Sequence, residues 1–322
     1  MTLSNQNKLY TFSETKINLK MKKLLLITLS CLTLFSCQKE SNVSEPEIDK
    51  PKYNVTLSME GFTQDVVKMT TSTKSTLGVG DTLKNYADNL CYRIYNTSGV
   101  LINSVNQAST LSTFGTVTDK LPSGVYDVFI GATKGSMYVS GAEYLYANAS
   151  YGWDGAGYWN DTFTKQVKLT VGTTDVAQAV RLDRAVGGLE VTLQDAIPSN
   201  ATRISIVFQN DSRFNNVSGI VNSYGGTSTT QNYTLTAFDV GVKNKKFLMY
   251  IGNTSSSSTV NIRAYDASNG LIVEKTVQFV RCYKNQKTLL TGSIFPTTAS
   301  SSLGFTVSVN PTWSTPLAPI TF

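Results

Sequence analysis

Residues 90–102 read Leu90-Cys91-Tyr92-Arg93-Ile94-Tyr95, then Asn96-Thr97-Ser98-Gly99, then Val100-Leu101-Ile102. Two β-prone runs around an Asn and Gly turn predict a β-hairpin. The pattern returns at Val260–Val273, where Ala264-Tyr265 leads through Asp266-Ala267-Ser268-Asn269-Gly270 into Leu271-Ile272-Val273. The echo fits two similar domains in tandem. Strict alternation over Tyr53–Met59 predicts a half-buried antiparallel strand, with Tyr53, Val55, Leu57 and Met59 on one face. Further strands are expected at Gly124–Ile130, Phe163–Val171, Val176–Arg184 and Leu189–Leu193. The remainder gives Arg203–Phe208, Asn232–Phe238, Phe247–Ile251, Val260–Tyr265, Thr276–Arg281, Lys287–Phe295 and Gly304–Val309. These runs are short, β-branched and separated by Asn, Gly and Ser, and no 3.6-residue period interrupts them. The expected class is therefore all-β, two Greek-key sandwiches of residues 53–183 and 184–322, with Gly187-Gly188 opening the second. Thr63–Lys84, Thr-rich and Gly-punctuated, reads as a loop or weakly paired edge.

Ahead of this β-rich region lies a different kind of sequence. Met21-Lys22-Lys23 opens a short apolar run, Leu24 to Phe35, followed by Ser36-Cys37. Two lysines, a brief apolar core and a small residue before a cysteine form a secretory signal. The run is shorter than the roughly 20 apolar residues a membrane-crossing helix needs. Leu34-Phe35-Ser36-Cys37 resembles the bacterial lipobox, in which the cysteine is acylated, commonly with palmitate, and becomes the first residue; a plain secretory signal that contains two cysteines is the alternative. Residues 1–20 read as an upstream leader, so 1–36 are expected to be absent from the mature protein. Residues 37–52, with Ser41, Asn42, Ser44, Glu45, Pro46 and Asp49, read as a tether with little to bury.

Composition narrows the function. The chain of 322 residues has a formal net charge of +6, but five of its 28 basic and one of its 22 acidic residues lie in the leader. What remains is nearly balanced, without the basic stripe that nucleic acid requires. There is no histidine. That removes the commonest general base and metal ligand, so serine triads, Cys-His pairs and His-bearing zinc sites cannot be built. Asp154, Asp161, Glu190 and Asp195 read as ordinary turn or strand-face residues, not a glycosidase pair. No catalytic residue, metal or cofactor is expected. Cys91 and Cys282, each inside a strand-like run, are expected to be two buried free thiols rather than a bridge.

One stretch looks like a recognition surface. From Tyr138 to Trp159, seven aromatic residues, Tyr151, Trp153, Tyr158 and Trp159 among them, alternate with Gly152, Gly155 and Gly157. Such a loop could stack on a sugar ring or a partner protein. The plainer reading is an insertion that folds back onto its own sandwich.

Several phrases resemble the fimbrillin superfamily, the type V pilus subunits of Bacteroidota, and especially its membrane-anchored minor branch. They are Leu90–Ile102, Leu182–Thr192, Asn285–Phe295 and Phe305–Trp313, in that order along the chain. The resemblance implies two transthyretin-like sandwiches, delivery as a lipoprotein to the outer membrane, and a place among other fimbrial subunits joined by strand complementation. In polymerising relatives a protease cuts after a basic residue in the early loop. The matching position is Lys74, where those relatives commonly have Arg, and without that cut Cys37 stays joined to the first strand. The resemblance therefore implies an anchor or accessory subunit; the alternative is a surface glycan-binding lipoprotein using residues 138–159. Gln38-Lys39-Glu40 resembles the signal for surface export, and Asp81-Thr82-Leu83 the phylum's O-glycosylation motif, with Thr82 the acceptor. Pro311–Phe322 reads as a donor segment for a neighbour, or as an edge strand and tail on its own domain.

Overall fold

The computed structural model describes residues 50–62, 83–153, 157–218, 227–295 and 304–310. Cys37, Lys74, Thr82, Asp154 and the segment 311–322 lie outside them. Within them the protein is all-β, with strands and two three-residue 3-10 turns, Leu83–Asn85 and Ala237–Asp239.

The first sandwich is built from β1 (Lys52–Phe62), β2 (Asn89–Tyr95), β3 (Leu101–Ala108), β4 (Thr116–Pro122), β5 (Gly124–Thr133), β8 (Thr162–Val171) and β9 (Val176–Arg184). Their order is β3-β2-β5-β8-β9-β1-β4. The β8–β9 junction is held by only two residue pairs, Phe163 with Arg184 and Thr164 with Asp183. The sheet turns over there, because both of its parts face one core that includes Leu57, Tyr92, Leu121, Ile130, Phe163 and Leu182. Alternation is the cause: Val55, Leu57 and Met59 are buried while Asn54, Thr56 and Ser58 are not. β1 is not purely antiparallel, however. It runs antiparallel to β4 and parallel to β9.

The second sandwich uses β10 (Gly187–Leu193), β11 (Arg203–Asp211), β13 (Thr227–Thr234), β14 (Lys245–Ile251), β15 (Ser258–Tyr265), β16 (Leu271–Val280), β17 (Lys287–Gly292) and β18 (Phe305–Asn310). Two four-stranded sheets, β14-β10-β17-β18 and β13-β11-β15-β16, enclose a core that includes Leu189, Val191, Ile204, Ile206, Phe208 and Ile262. Its plan repeats the first: β3-β2-β5-β8 corresponds to β13-β11-β15-β16, and β4-β1-β9 to β14-β10-β17. The parallel pair β1–β9 also matches the parallel pair β10–β17. Among the described residues β18 has no counterpart in the first sandwich. Neither do three short strands, β6 (Met137–Val139), β7 (Ser150–Trp153) and β12 (Phe214–Asn216), which form a sheet of their own in the order β12-β7-β6.

The two echoing turns are alike in detail. In each, the side-chain oxygen of the first residue accepts backbone N–H bonds two and four residues on: Asn96 from Ser98 and Val100 at 3.0 and 2.9 Å, Asp266 from Ser268 and Gly270 at 2.9 and 2.7 Å. The fourth residue is left-handed in both, Gly99 at φ 78° and Asn269 at φ 62°, which suits glycine and asparagine. Yet the hairpins are not equivalent. β2–β3 corresponds by position to β11–β13, and β15–β16 to β5–β8. The sequence echo reports a shared turn chemistry, while the duplication lies in the strand order. Asn96→Ala and Asp266→Ala are each expected to cost about 1 kcal/mol. Their sites share no partner, so the double variant should lose about 2 kcal/mol in urea unfolding.

Candidate functional site

Two of the four phrases that carry the resemblance meet between the two sandwiches. Leu182–Thr192 spans the end of β9 and the whole of β10, and Asn285–Phe295 contains β17. β10 and β17 pair in parallel, and Gly188 N–H and Asn285 N–H bond the carbonyls of Gln286 and Val186 at 2.9 and 3.0 Å. At the centre is Arg184, whose side chain is fully buried. Its Nε and Nη2 donate to the two oxygens of Asp161 at 2.6 and 2.8 Å, and Nη1 reaches Asn285 Oδ1 at 3.3 Å. The guanidinium lies 4.9 Å from the centre of the Phe163 ring. Tyr250 of β14 lies near Asp161; burial first, then the Asp161 charge, holds its hydroxyl well above the usual tyrosine range. A buried bidentate pair of this kind fixes orientation as well as contact.

The aromatic stretch joins the same seam. Trp159 is 1% exposed, and its indole N–H donates to the Ser212 carbonyl at 2.6 Å. The ring lies where a Cβ on Gly252 would be, so any side chain at 252 would expel it. Tyr151 is buried against Phe129 at 5.1 Å between ring centres and meets Trp159 edge-on at 6.1 Å. With Cys91, Tyr95, Ala149, Ala185, Val186 and Val217 they form a third core, drawn from both sandwiches. β7 and β12 pair across it, matching Tyr151 with Asn215. Neither Tyr151 nor Trp159 offers a ring face to a sugar or a partner: both are spent on internal packing. Trp153 and Tyr158 keep partial exposure, and the Arg213 guanidinium covers Trp153 at 4.7 Å.

Other polar residues brace the second sandwich. Glu190 bridges Lys246 and Lys287, each at 3.0 Å. Burial opposes its charge, but the two lysines outweigh burial and hold its carboxyl below the usual range. Asp195 accepts the N–H groups of Ile294 and Phe295 at 2.8 and 2.5 Å. Asp211 is fully buried and accepts from Thr229 Oγ1 at 2.6 Å and from the N–H groups of Ser212 and Asn253, both at 2.8 Å. Burial raises its pKa to about 6 against these bonds. Cys91 and Cys282 are buried free thiols, pushed up to about 11 and about 12 by burial, so they stay protonated and unreactive. Among the described residues no cluster of acidic or sulfur ligands could hold a metal.

Comparison with known proteins bears on this region directly. Residues 151–320, more than half of the chain, match the family of unknown function DUF6562. The chain belongs to that family. The matched part opens at Tyr151 and contains Trp159, Asp161, Arg184 and Asn285, whereas Cys91, Tyr95, Phe129 and Ala149 of the third core precede it. No curated protein matches the sequence. Solved structures with a similar fold include a candidate polysaccharide-binding protein of Bacteroides thetaiotaomicron, at TM-score 0.54 and 9% identity over 80% of this chain and 96% of that one. A candidate adhesin of Bacteroides ovatus gives 0.52 and 10% over 83% and 96%. The fimbrial anchor protein Mfa2 of Porphyromonas gingivalis gives 0.49 and 12% over 80% and 97%. At such identities the likeness is one of fold: the all-β architecture expected from the sequence is the one found, and it is similar to that of the two Bacteroides proteins.

Removing one partner of the buried pair, as in Arg184→Ala or Asp161→Ala, should cost about 3 to 5 kcal/mol in urea unfolding, whereas Arg184→Met with Asp161→Leu should recover most of it. Trp159→Ala should cost about 3 to 5 kcal/mol by cavity formation. Asp211 holds its proton more tightly folded than unfolded, where its pKa is about 3.9. Its stabilising effect is therefore whole below about pH 4 and is lost as pH rises through about 6. Urea midpoints compared with Asp211→Asn should shift in the variant's favour over that interval and level off above it.

Proposed function

We propose that this protein is a pilus or adhesion subunit of the bacterial surface, held on the outer membrane by an acylated Cys37 and acting as an anchor or accessory subunit, without catalysis. The observation that carries the reading is the all-β fold of two sandwiches, which is similar in fold to a candidate adhesin of Bacteroides ovatus. β18 has β17 as its one strand partner among the described residues, so its far edge presents N–H and C=O groups to another chain. Strand addition from a neighbouring subunit suits such an edge. Lys74, in place of the family arginine, supports retention of β1 and hence of the link from Cys37 through the 37–52 tether. We place the division between the sandwiches at the end of β9, within one residue of the 183/184 boundary expected from the sequence, and Thr82 as the O-glycan acceptor. The mature protein isolated from membranes should have the mass of a diacyl or triacyl chain beginning at Cys37. A chain beginning at Ser75 would refute the anchor reading, and so would a deletion strain whose fimbriae are unchanged in number, length and attachment.

A second reading, glycan binding through residues 138–159, keeps Trp153 and Tyr158 of the four aromatic residues singled out from the sequence, since Tyr151 and Trp159 are internal, and the stretch also exposes Tyr138 and Tyr144.

A further inference from the structure

The aromatic insertion covers the outer face of β2, β5 and β8 only as far as β6. Beyond that strand a cleft of about 580 Å³ opens between β6 and the β2–β3 hairpin. Arg93 and Asn106 line it from the hairpin, Ser136 and Tyr138 from the other wall, and no Asp or Glu is among its lining residues. Arg93 is the one cation there, and it is held in place: Nη1 donates to the Tyr92 carbonyl at 2.9 Å and to Asn106 Oδ1 at 3.0 Å. These acceptors orient the guanidinium without neutralising it, and among the described residues Arg93 has no carboxylate ion-pair partner. Tyr138 is 37% exposed, and its ring is backed by Phe214 at 5.2 Å between centres. β6 is the outer strand of its sheet, so its free edge adds backbone hydrogen-bonding groups to the rim.

A fixed, uncompensated guanidinium suits a carboxylate. A supported aromatic face suits the apolar face of a pyranose ring, and amide and hydroxyl groups suit its hydroxyls. We propose that this cleft binds an acidic saccharide, with Arg93 on the uronate carboxylate, Tyr138 beneath the ring, and Asn106 and Ser136 on hydroxyls. One cation is too few for a nucleic acid backbone, whose recognition recruits many. The inference stands apart from the anchor reading, because a protein with or without an acylated Cys37 could carry the cleft.

Affinity electrophoresis of the full mature chain in gels containing polygalacturonate, dextran or poly-glutamate tests it. Retardation by polygalacturonate alone, weakened by added salt, is expected. Arg93→Gln and Tyr138→Ala should each weaken it about tenfold or more, a factor of ten being the effect of one lost charge-assisted contact. Trp153→Ala should leave it unchanged. Near-UV circular dichroism checks the fold of each variant, and Tyr138→Ala, at a partly exposed edge position, keeps the test decisive if Arg93→Gln misfolds. No retardation by polygalacturonate, equal retardation by dextran or poly-glutamate, or full retention in Tyr138→Ala would overturn the proposal.

Discussion

The buried pair of Arg184 and Asp161 is the constraint around which the two sandwiches are arranged. Arg184 ends the last strand of the first sandwich, Asp161 immediately precedes β8, and Asn285 and Tyr250 reach them from the second. A guanidinium without solvent is tolerated only where its donors are met, and here two carboxylate oxygens, an amide oxygen and an aromatic face meet it. Such a pair contributes less net stability than its Coulomb attraction suggests. What it supplies is direction: the groups fit in one relative placement, and a shift would leave charge buried and unmatched.

Apolar packing then fills the placement that the pair defines. Trp159 enters the space left by the missing side chain of Gly252, and the strands inserted into the two repeats, β6–β7 into the first and β12 into the second, pair as one sheet. The extra elements of each repeat are thus used on the other. This also explains why Tyr151 and Trp159 of the most aromatic stretch are internal, while Tyr138 and Tyr144, which do not enter the seam, stay exposed.

Much of this architecture was legible because β-strands have a period of two. β1, β10 and β15 alternate apolar and polar residues, and their buried positions follow that alternation. Strands outside the rule were missed or shortened. β3 continues through Asn103, Ser104 and Asn106, and β4 through Asp119 and Lys120 to Pro122, because edge strands bury little on either face. β16, also an edge strand, shows in the sequence as two short runs for the same reason. The seam was the least legible part. Asp161 and Arg184 lie 23 residues apart, and Trp159 meets Ser212 across 53. Nothing local marks Asp161 as different from Asp183, whose Lys165 partner is half-exposed. The sole hint was indirect: the phrases Leu182–Thr192 and Asn285–Phe295, singled out by resemblance, are the ones that touch.

If the seam governs the molecule, the two hydrophobic cores cannot lose their packing independently. Differential scanning calorimetry of the mature chain measures this most directly. The account predicts one cooperative transition, with calorimetric and van't Hoff enthalpies equal. Two resolved transitions, one for each sandwich, would contradict it.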